Sequence, residues 1–327
     1  MFFPALMGMD LGTSSVRIST KSRGIILDEP SVVAYYRNEG KVLAVGAQAL
    51  EMLGKTPAHI QAASPIRHGV IVNLPIAEAM LHYFLRQTSL FFRHQLVISV
   101  PANITNVARR AVREATLAAG AAKVWLIEAP TAAALGAQVD MSTPLGVMVV
   151  DIGSGITDMA VLSSGQTIIS DSVRIAGNQC NIAIQEMMRY KHKLLISHNL
   201  AEEIKISLGT AVLPKTVQEM EIKGSDIVNG LPRTQVINSQ EIHLALQEPL
   251  QGILDSIKRV LAQITPALAG DLVTNGIVLT GGGSLLESID KYLQNQLQIP
   301  VKIAANPHQC AVLGTLKADI ETLDSER

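Results

Sequence analysis

Residues 5–9 form an apolar run that ends in Asp10-Leu11-Gly12-Thr13-Ser14-Ser15 and resumes as the alternating Val16-Arg17-Ile18-Ser19. The arrangement recurs 141 residues later, where the apolar 147–150 runs into Asp151-Ile152-Gly153-Ser154-Gly155-Ile156-Thr157 and then the apolar 159–162. Each copy reads as a buried strand, a tight turn of glycine and hydroxyl residues, and a returning strand. A third glycine-rich turn, Gly281-Gly282-Gly283-Ser284, follows a strand-like 276–280. Glycine lets backbone N–H groups approach an anion, and Ser and Thr hydroxyls add donors. A bare carboxylate in such a turn would repel phosphate. Asp10 and Asp151 make chemical sense as a pair that orients a hydrated Mg²⁺, a cation that keeps several of its waters. Any one turn could be an ordinary loop with Asp capping it, but three together, two of them repeated with an acid, point to a nucleotide cleft.

Other motifs fail on spacing. Gly54-Lys55-Thr56 resembles the end of a phosphate loop, but Ala49 stands where its first glycine is needed. Gly153-x-Gly155 lacks the third glycine of a dinucleotide fingerprint, with Asp158 in its place. The eight histidines are scattered without metal-like pairing, and Arg109, Arg110 and Arg113 read as a solvated helix face.

Composition bounds the rest. A chain of 327 residues suggests about two domains, and 48% apolar against 17% charged residues excludes disorder and coiled coil. Twenty-seven Lys and Arg against 28 Asp and Glu leave a net charge of −1, with no global attraction to nucleic acid. Cys180 and Cys310 are too far apart in sequence for a metal motif and too few for a disulfide scaffold, which fits a reduced cytosolic setting. The apolar start meets Asp10 after nine residues and carries no basic region, so neither a membrane span nor a signal peptide is expected.

The elements that must position these turns alternate in type. Helical spacing covers 74–85, 105–119, 130–136, 179–190, 201–208 and 241–264. Strand patterns cover 95–100, 124–127 and 276–280, and 217–236 reads as β-rich turns. The alternation predicts an α/β architecture with internal duplication, its halves apposed around a cleft.

The ordered set of motifs resembles the MreB family of bacterial, rod-shape-determining actins. It comprises Asp10-Leu11-Gly12-Thr13, Leu27-Asp28-Glu29-Pro30-Ser31-Val32-Val33, Gly69-Val70-Ile71, Leu126-Ile127-Glu128-Ala129-Pro130, Asp151-Ile152-Gly153, Ala201-Glu202-Glu203-Ile204-Lys205-Ile206, and 276–283. The resemblance implies a duplicated actin-like (RNase H-like) fold. One lobe would span 1–145 with a small insertion near 34–60, the other 146–327 with an insertion near 185–243. It implies ATP with Mg²⁺ in the cleft. Asp10, Gly12, Thr13 and Ser14 would form one phosphate turn, and Asp151, Gly153, Ser154, Gly155 and Thr157 the other. Gly177, Glu202, Lys205, Gly281, Gly282, Gly283 and Ser284 would lie on the adenosine side. Glu128 would orient the attacking water beside Asp158, although a carboxylate capping the helix after Pro130 is the alternative. The family commonly reads Asp-Ile-Gly-Gly-Gly-Thr-Thr-Glu at the second turn. Here Ser154, Ile156 and Asp158 replace Gly, Thr and Glu, and Ala129 follows Glu128 in place of a second Glu. Asn178 and Asn181 stand where acids are usual. A misplacement of about 1 Å can cost ~100-fold in rate, so binding is the safer expectation than brisk hydrolysis.

Four of the five phenylalanines fall in two pairs, Phe2-Phe3 and Phe91-Phe92, the second preceded by Leu90 and followed by Arg93-His94. They read as a membrane-facing segment and loop tip, or alternatively as strand-packing residues. The resemblance favours the membrane, since family members use an N-terminal apolar segment, a hydrophobic loop at this position, or both. The expected function is a cytoskeletal ATPase that polymerises on the inner face of the cytoplasmic membrane and sets rod shape with cell-wall morphogenesis proteins. A weakly hydrolysing nucleotide-binding scaffold and a small-molecule kinase of the same superfamily are the alternatives. A superfamily chaperone would need a separate peptide-binding domain, for which the chain has no room.

Overall fold

The computed structural model describes residues 6–88 and 94–323. Phe2, Phe3, Leu90, Phe91 and Phe92 therefore lie outside the described residues. The first half runs β1 (Leu6–Leu11), β2 (Ser15–Thr20), β3 (Gly24–Pro30), β4 (Val33–Tyr36), β5 (Val42–Val45), α1 (Ala47–Glu51), β6 (Ile60–Ala63), β7 (Ile66–Arg67), β8 (Val70–Ile71), α2 (Leu74–Thr88), β9 (Gln95–Val100), α3 (Asn106–Ala118), β10 (Lys123–Glu128) and α4 (Ala129–Gly136). The second runs β11 (Val147–Ile152), β12 (Thr157–Ser163), β13 (Gln166–Val173), α5 (Gly177–Lys191), β14 (Leu194–Leu195), α6 (His198–Leu208), β15 (Glu219–Asp226), β16 (Pro232–Asn238) and α7 (Ser239–Leu261). It closes with α8 (Pro266–Asn275), β17 (Ile277–Thr280), α9 (Ile289–Leu297), β18 (Val301–Ile303) and α10 (Cys310–Thr315).

Two five-stranded sheets carry the fold, ordered β10-β9-β1-β2-β3 and β13-β12-β11-β17-β18. They match strand for strand at the hairpins. β1 pairs antiparallel with β2 and parallel with β9, and β11 pairs antiparallel with β12 and parallel with β17. The registers repeat as well: Asp10 faces Arg17 and Asp151 faces Asp158. This is the duplicated α/β layout that the sequence predicts. Two three-stranded sheets stand apart, β5-β4-β6 and β14-β15-β16. Among the described residues no helix is long and apolar enough to cross a membrane.

Side chains alternate across each strand, so each sheet has an outer and an inner face. Met7, Met9, Leu96, Ile98, Val124 and Leu126 bury against Met80, Phe84 and Val112 of α2 and α3. Met148, Val150, Met159 and Val161 bury against residues of α5, α6 and α7 such as Ile184, Ile204 and Leu254. The inner faces receive α4 and α10. Val147, Val149, Ala160, Leu162 and Val278 cluster with Ala133, Ala134 and Cys310, while Val97, Trp125 and Ile127 cluster with Ala132. Helix α4 reaches the second sheet and α10 the first, where Ser19 donates to the Val312 carbonyl at 3.0 Å. The chain thus crosses over twice, and the expected division at 145/146 leaves each of these helices against the other half's sheet.

Local signals explain where the helices begin. Ser197 caps α6 by accepting from the Leu200 N–H, so that helix starts before residue 201. Asn238 and Glu241 form a capping box that starts α7 at Ser239. Glu128 precedes α4 as its cap residue but makes no side-chain cap hydrogen bond, so the capping alternative for this carboxylate is not realised.

Candidate functional site

Strand parity sends Asp10 and Asp151 to the inner faces, on the side of Gly8 and Val149, where the ends of the two sheets enclose a cleft of about 1290 Å³. The turns at its floor are built alike. The Gly12 N–H donates to the Ser15 carbonyl at 3.0 Å, and the Gly153 N–H donates to the Ile156 carbonyl at 3.0 Å. The acids are also held alike: the Ser99 hydroxyl donates to Asp10 at 2.7 Å and the Thr280 hydroxyl to Asp151 at 2.8 Å. Both hydroxyls come from the parallel neighbour strand, at the register position facing the acid. Sequence reasoning missed them. The only signal was that each is a hydroxyl residue in the last two positions of a strand-patterned segment.

The two turns touch. Thr13 lies against Gly155, and the His68 Nδ1–H donates to the Gly155 carbonyl at 2.7 Å. Among the described residues no protein acceptor takes the N–H of Thr13, Ser14, Ser154 or Gly155, which leaves these donors for an anion in the cleft.

Burial raises the carboxyl pKa of Asp10 above its ordinary value, against the Ser99 hydrogen bond and the Arg17 charge. Burial, then the charges of Asp10 and Asp158, pushes Asp151 up to about 7, with Thr280 and Arg17 pulling the other way. Asp158 is raised to about 6, again chiefly by burial. Three acids crowded together want a cation. Among the described residues no three His, Cys, Asp or Glu side chains converge to hold an ion directly. The donor set therefore fits a metal held through water by Asp10 and Asp151, together with an anion on the turn N–H groups.

A raised carboxyl pKa makes the folded state bind a proton more tightly than the unfolded chain does. That stabilisation is complete below about pH 4 and is lost as pH rises through 7. In protein free of metal and nucleotide, Asp151→Asn is expected to unfold at higher temperature than the wild type at pH 8. The stability advantage behind that gap should shrink by about 2 kcal/mol at pH 5.5. Melting curves of both proteins across this range check it, and a gap independent of pH would refute it.

On the opposite wall Glu202 accepts from Lys205 at 2.8 Å and from Asn181 at 2.6 Å, and Lys205 donates to the Gly177 carbonyl at 3.2 Å. Burial would raise the Glu202 pKa, but Lys205, Asn181 and His198 outweigh it and hold the carboxyl low. The Gly177 and Asn178 N–H groups donate to the Gly153 and Ser154 carbonyls, fastening the start of α5 to the second turn. Gly281, Gly282 and Gly283 line the same wall.

The cleft thus gathers Asp10, Gly12, Thr13, Ser14, Asp151, Gly153, Ser154, Gly155, Asp158, Gly177, Glu202, Lys205, Gly281, Gly282 and Gly283. Thr157, Ser284 and Glu128 are not on its lining. The Thr157 hydroxyl donates to the Ile175 carbonyl and that of Ser284 to the Gly281 carbonyl, so both serve the backbone. Ala129, the next residue, lines the cleft in place of Glu128. Burial raises the Glu128 pKa, with Ser170 and Arg109 opposing. Asp158 accepts from the Ala102 N–H at 3.0 Å and from the Ser172 hydroxyl, and so ties β12 to the segment that follows β9.

The model of the family described as MreB/Mbl protein matches residues 4–326. The chain belongs to the MreB/Mbl family. Its MreB/Mbl relatives include the cell shape-determining protein Mbl of Bacillus cereus, 46% identical over 312 residues that cover 94% of each chain. The cell shape-determining protein MreB of Escherichia coli is 42% identical over 326 residues, 97% of this chain and 94% of that one. Among solved structures, MreB5 of Spiroplasma citri bound to ADP superposes with a TM-score of 0.92 at 33% identity, covering 96% of this chain and 95% of that chain. The MamK double helical filament shares the fold at a TM-score of 0.81 and 20% identity, covering 96% and 98%.

Proposed function

We propose that this MreB/Mbl-family chain is a cytoskeletal actin-like protein that binds ATP with Mg²⁺ between its two lobes and polymerises into filaments. The observation that carries the reading is the pair of alike-built acid-bearing turns, in contact through Thr13 and Gly155 and facing one cleft. The names of the relatives support a role in cell shape, and MreB5 is described bound to ADP and to AMPPNP. The free N–H groups of the turns would take the phosphates, with Asp10 and Asp151 orienting the metal's waters and the Glu202–Lys205 wall taking the nucleoside. When bound, Mg²⁺ supplies charge neutralisation on the phosphate oxygens. Head-to-tail contacts whose rotation does not close extend into filaments. On this proposal the filaments lie on the inner face of the cytoplasmic membrane, through Phe2, Phe3, Leu90, Phe91 and Phe92, and organise cell-wall synthesis there. One monomer with a few apolar side chains would bind a bilayer weakly, but many copies in a filament bind firmly.

A second reading, a nucleotide-gated scaffold with slow hydrolysis, is favoured by Ile156 on the cleft lining and by Glu128 off it. The deciding experiment is sedimentation and phosphate release on the purified full chain with Mg·ATP, with and without anionic vesicles. Polymer that pellets only with nucleotide, and co-pellets with vesicles unless Phe91→Ser/Phe92→Ser is present, is the expected result. Phosphate release much slower than assembly selects the scaffold. Absence of nucleotide-dependent pelleting overturns both readings.

A further inference from the structure

The duplication singles out Arg17. On β2 it holds the place that Asp158 holds on β12, since Asp10 faces Arg17 across its hairpin as Asp151 faces Asp158. Its side chain is 18% exposed and lines the cleft, with Nη1 4.0 Å from Asp10 Oδ2 and Nε 3.1 Å from Asp28 Oδ2. Asp28, on β3 and also on the cleft lining, accepts the hydrogen bond from the guanidinium Nε. The second hairpin has no such cation. Asp158 is spent there on the Ala102 N–H and Ser172, joining strands rather than balancing charge.

We propose that Arg17 is a built-in counter-charge at the cleft floor that faces Asp10 and lowers the dependence of nucleoside triphosphate binding on divalent cation. The inference rests on the nucleotide reading above. Asp10, Asp151 and Asp158 present three carboxylates to one cleft, and a polyphosphate approaching them without a metal meets like charge. A guanidinium stays charged at every working pH and cannot diffuse away. At about 8 Å and an effective dielectric near 20, one unit charge changes binding by about 30-fold. With Mg²⁺ bound, two of the three negative charges would be offset, so most of the effect of Arg17 falls in the metal-free arm.

The test is equilibrium binding of ATP to the full chain in excess Mg²⁺ and in EDTA, for the wild type, Arg17→Leu, Arg17→Gln and Arg17→Lys, with melting curves to verify folding. Both neutral variants should widen the ratio of the EDTA to the Mg²⁺ dissociation constant by about 10- to 30-fold, mostly through the EDTA arm. Lys should restore most of the difference. Equal weakening in both arms, or an unchanged ratio in whichever neutral variant folds, would mean that Arg17 only supports structure, and the proposal falls. Wild-type protein that binds ATP in neither arm would instead overturn the nucleotide reading itself.

Discussion

Gly155→Val is expected to weaken Mg·ATP binding by about 100-fold or more while leaving a folded protein. A Cβ at this position would lie 2.5 Å from Thr13 Oγ1 and 2.9 Å from Thr13 Cβ and Cγ2. Thr13 cannot retreat. Its hydroxyl accepts from the Gly69 N–H at 3.1 Å and its carbonyl accepts from the Ser64 hydroxyl at 3.1 Å. The turns must therefore part, and the His68 contact to the Gly155 carbonyl is drawn apart with them. Donors set for one ligand from two sheets lose their joint geometry, and displacements near 1 Å cost on the order of 100-fold. Both hydrophobic cores lie behind the turns, so unfolding of the nucleotide-free protein should shift by only a few degrees. Titration calorimetry on wild type, Gly155→Ala and Gly155→Val checks the prediction, with Ala intermediate. Undiminished affinity in the Val variant would mean that the two turns do not share a ligand.

The duplicated hairpins were legible because their information is local. Strand alternation, an acid, a glycine turn and a returning strand all fall within about fifteen residues, and the 141-residue repeat of Asp10-x-Gly12 at Asp151-x-Gly153 needs no partner to be seen. What orients the acids was not legible. Ser99 stands 89 residues from Asp10 and Thr280 stands 129 from Asp151, and only the parallel register brings each pair together. The same limit explains the residues that are off the lining. A hydroxyl in a glycine-rich turn can donate to a ligand or to its own backbone, and type and spacing do not distinguish the two. Thr157 and Ser284 took the backbone. Glu128 ends β10 with its carboxyl off the lining, and the cleft is lined instead by Ala129, the first residue of α4.

Packing between the halves was illegible for a different reason. The alanine-rich 129–136 reads plainly as a helix, but small residues carry no mark of what lies against them. In the structure that blankness is the point of contact. Helices α4 and α10 meet backbone to backbone, and a methyl group at Gly136 would overlap the Cys310 carbonyl, as one at Gly314 would overlap that of Ala132. No side chain intervenes that could rotate away.

Gly314→Ala is therefore expected to destabilise the protein by about 3 kcal/mol, at the upper end of overpacking costs, and to lower the apparent melting temperature by several degrees. The sign is informative because helix propensity alone favours Ala over Gly by about 1 kcal/mol. Gly270 supplies the contrast. It lies within α8, and a methyl group there would meet nothing within 4 Å, so Gly270→Ala should raise stability by about 0.5–1 kcal/mol. Opposite shifts from one chemical change would locate the cost in the α4–α10 contact, and parallel shifts would refute that assignment. The contact also couples to the site. Helix α10 lies on the sheet that carries Asp10, and α4 reaches the sheet that carries Asp151, so spreading them changes how the two turns face each other. At a fixed excess of Mg·ATP, the stabilisation it gives a protein grows with the logarithm of its affinity for the folded form. The rise in melting temperature on adding Mg·ATP should accordingly be smaller for Gly314→Ala than for wild type, and unchanged for Gly270→Ala.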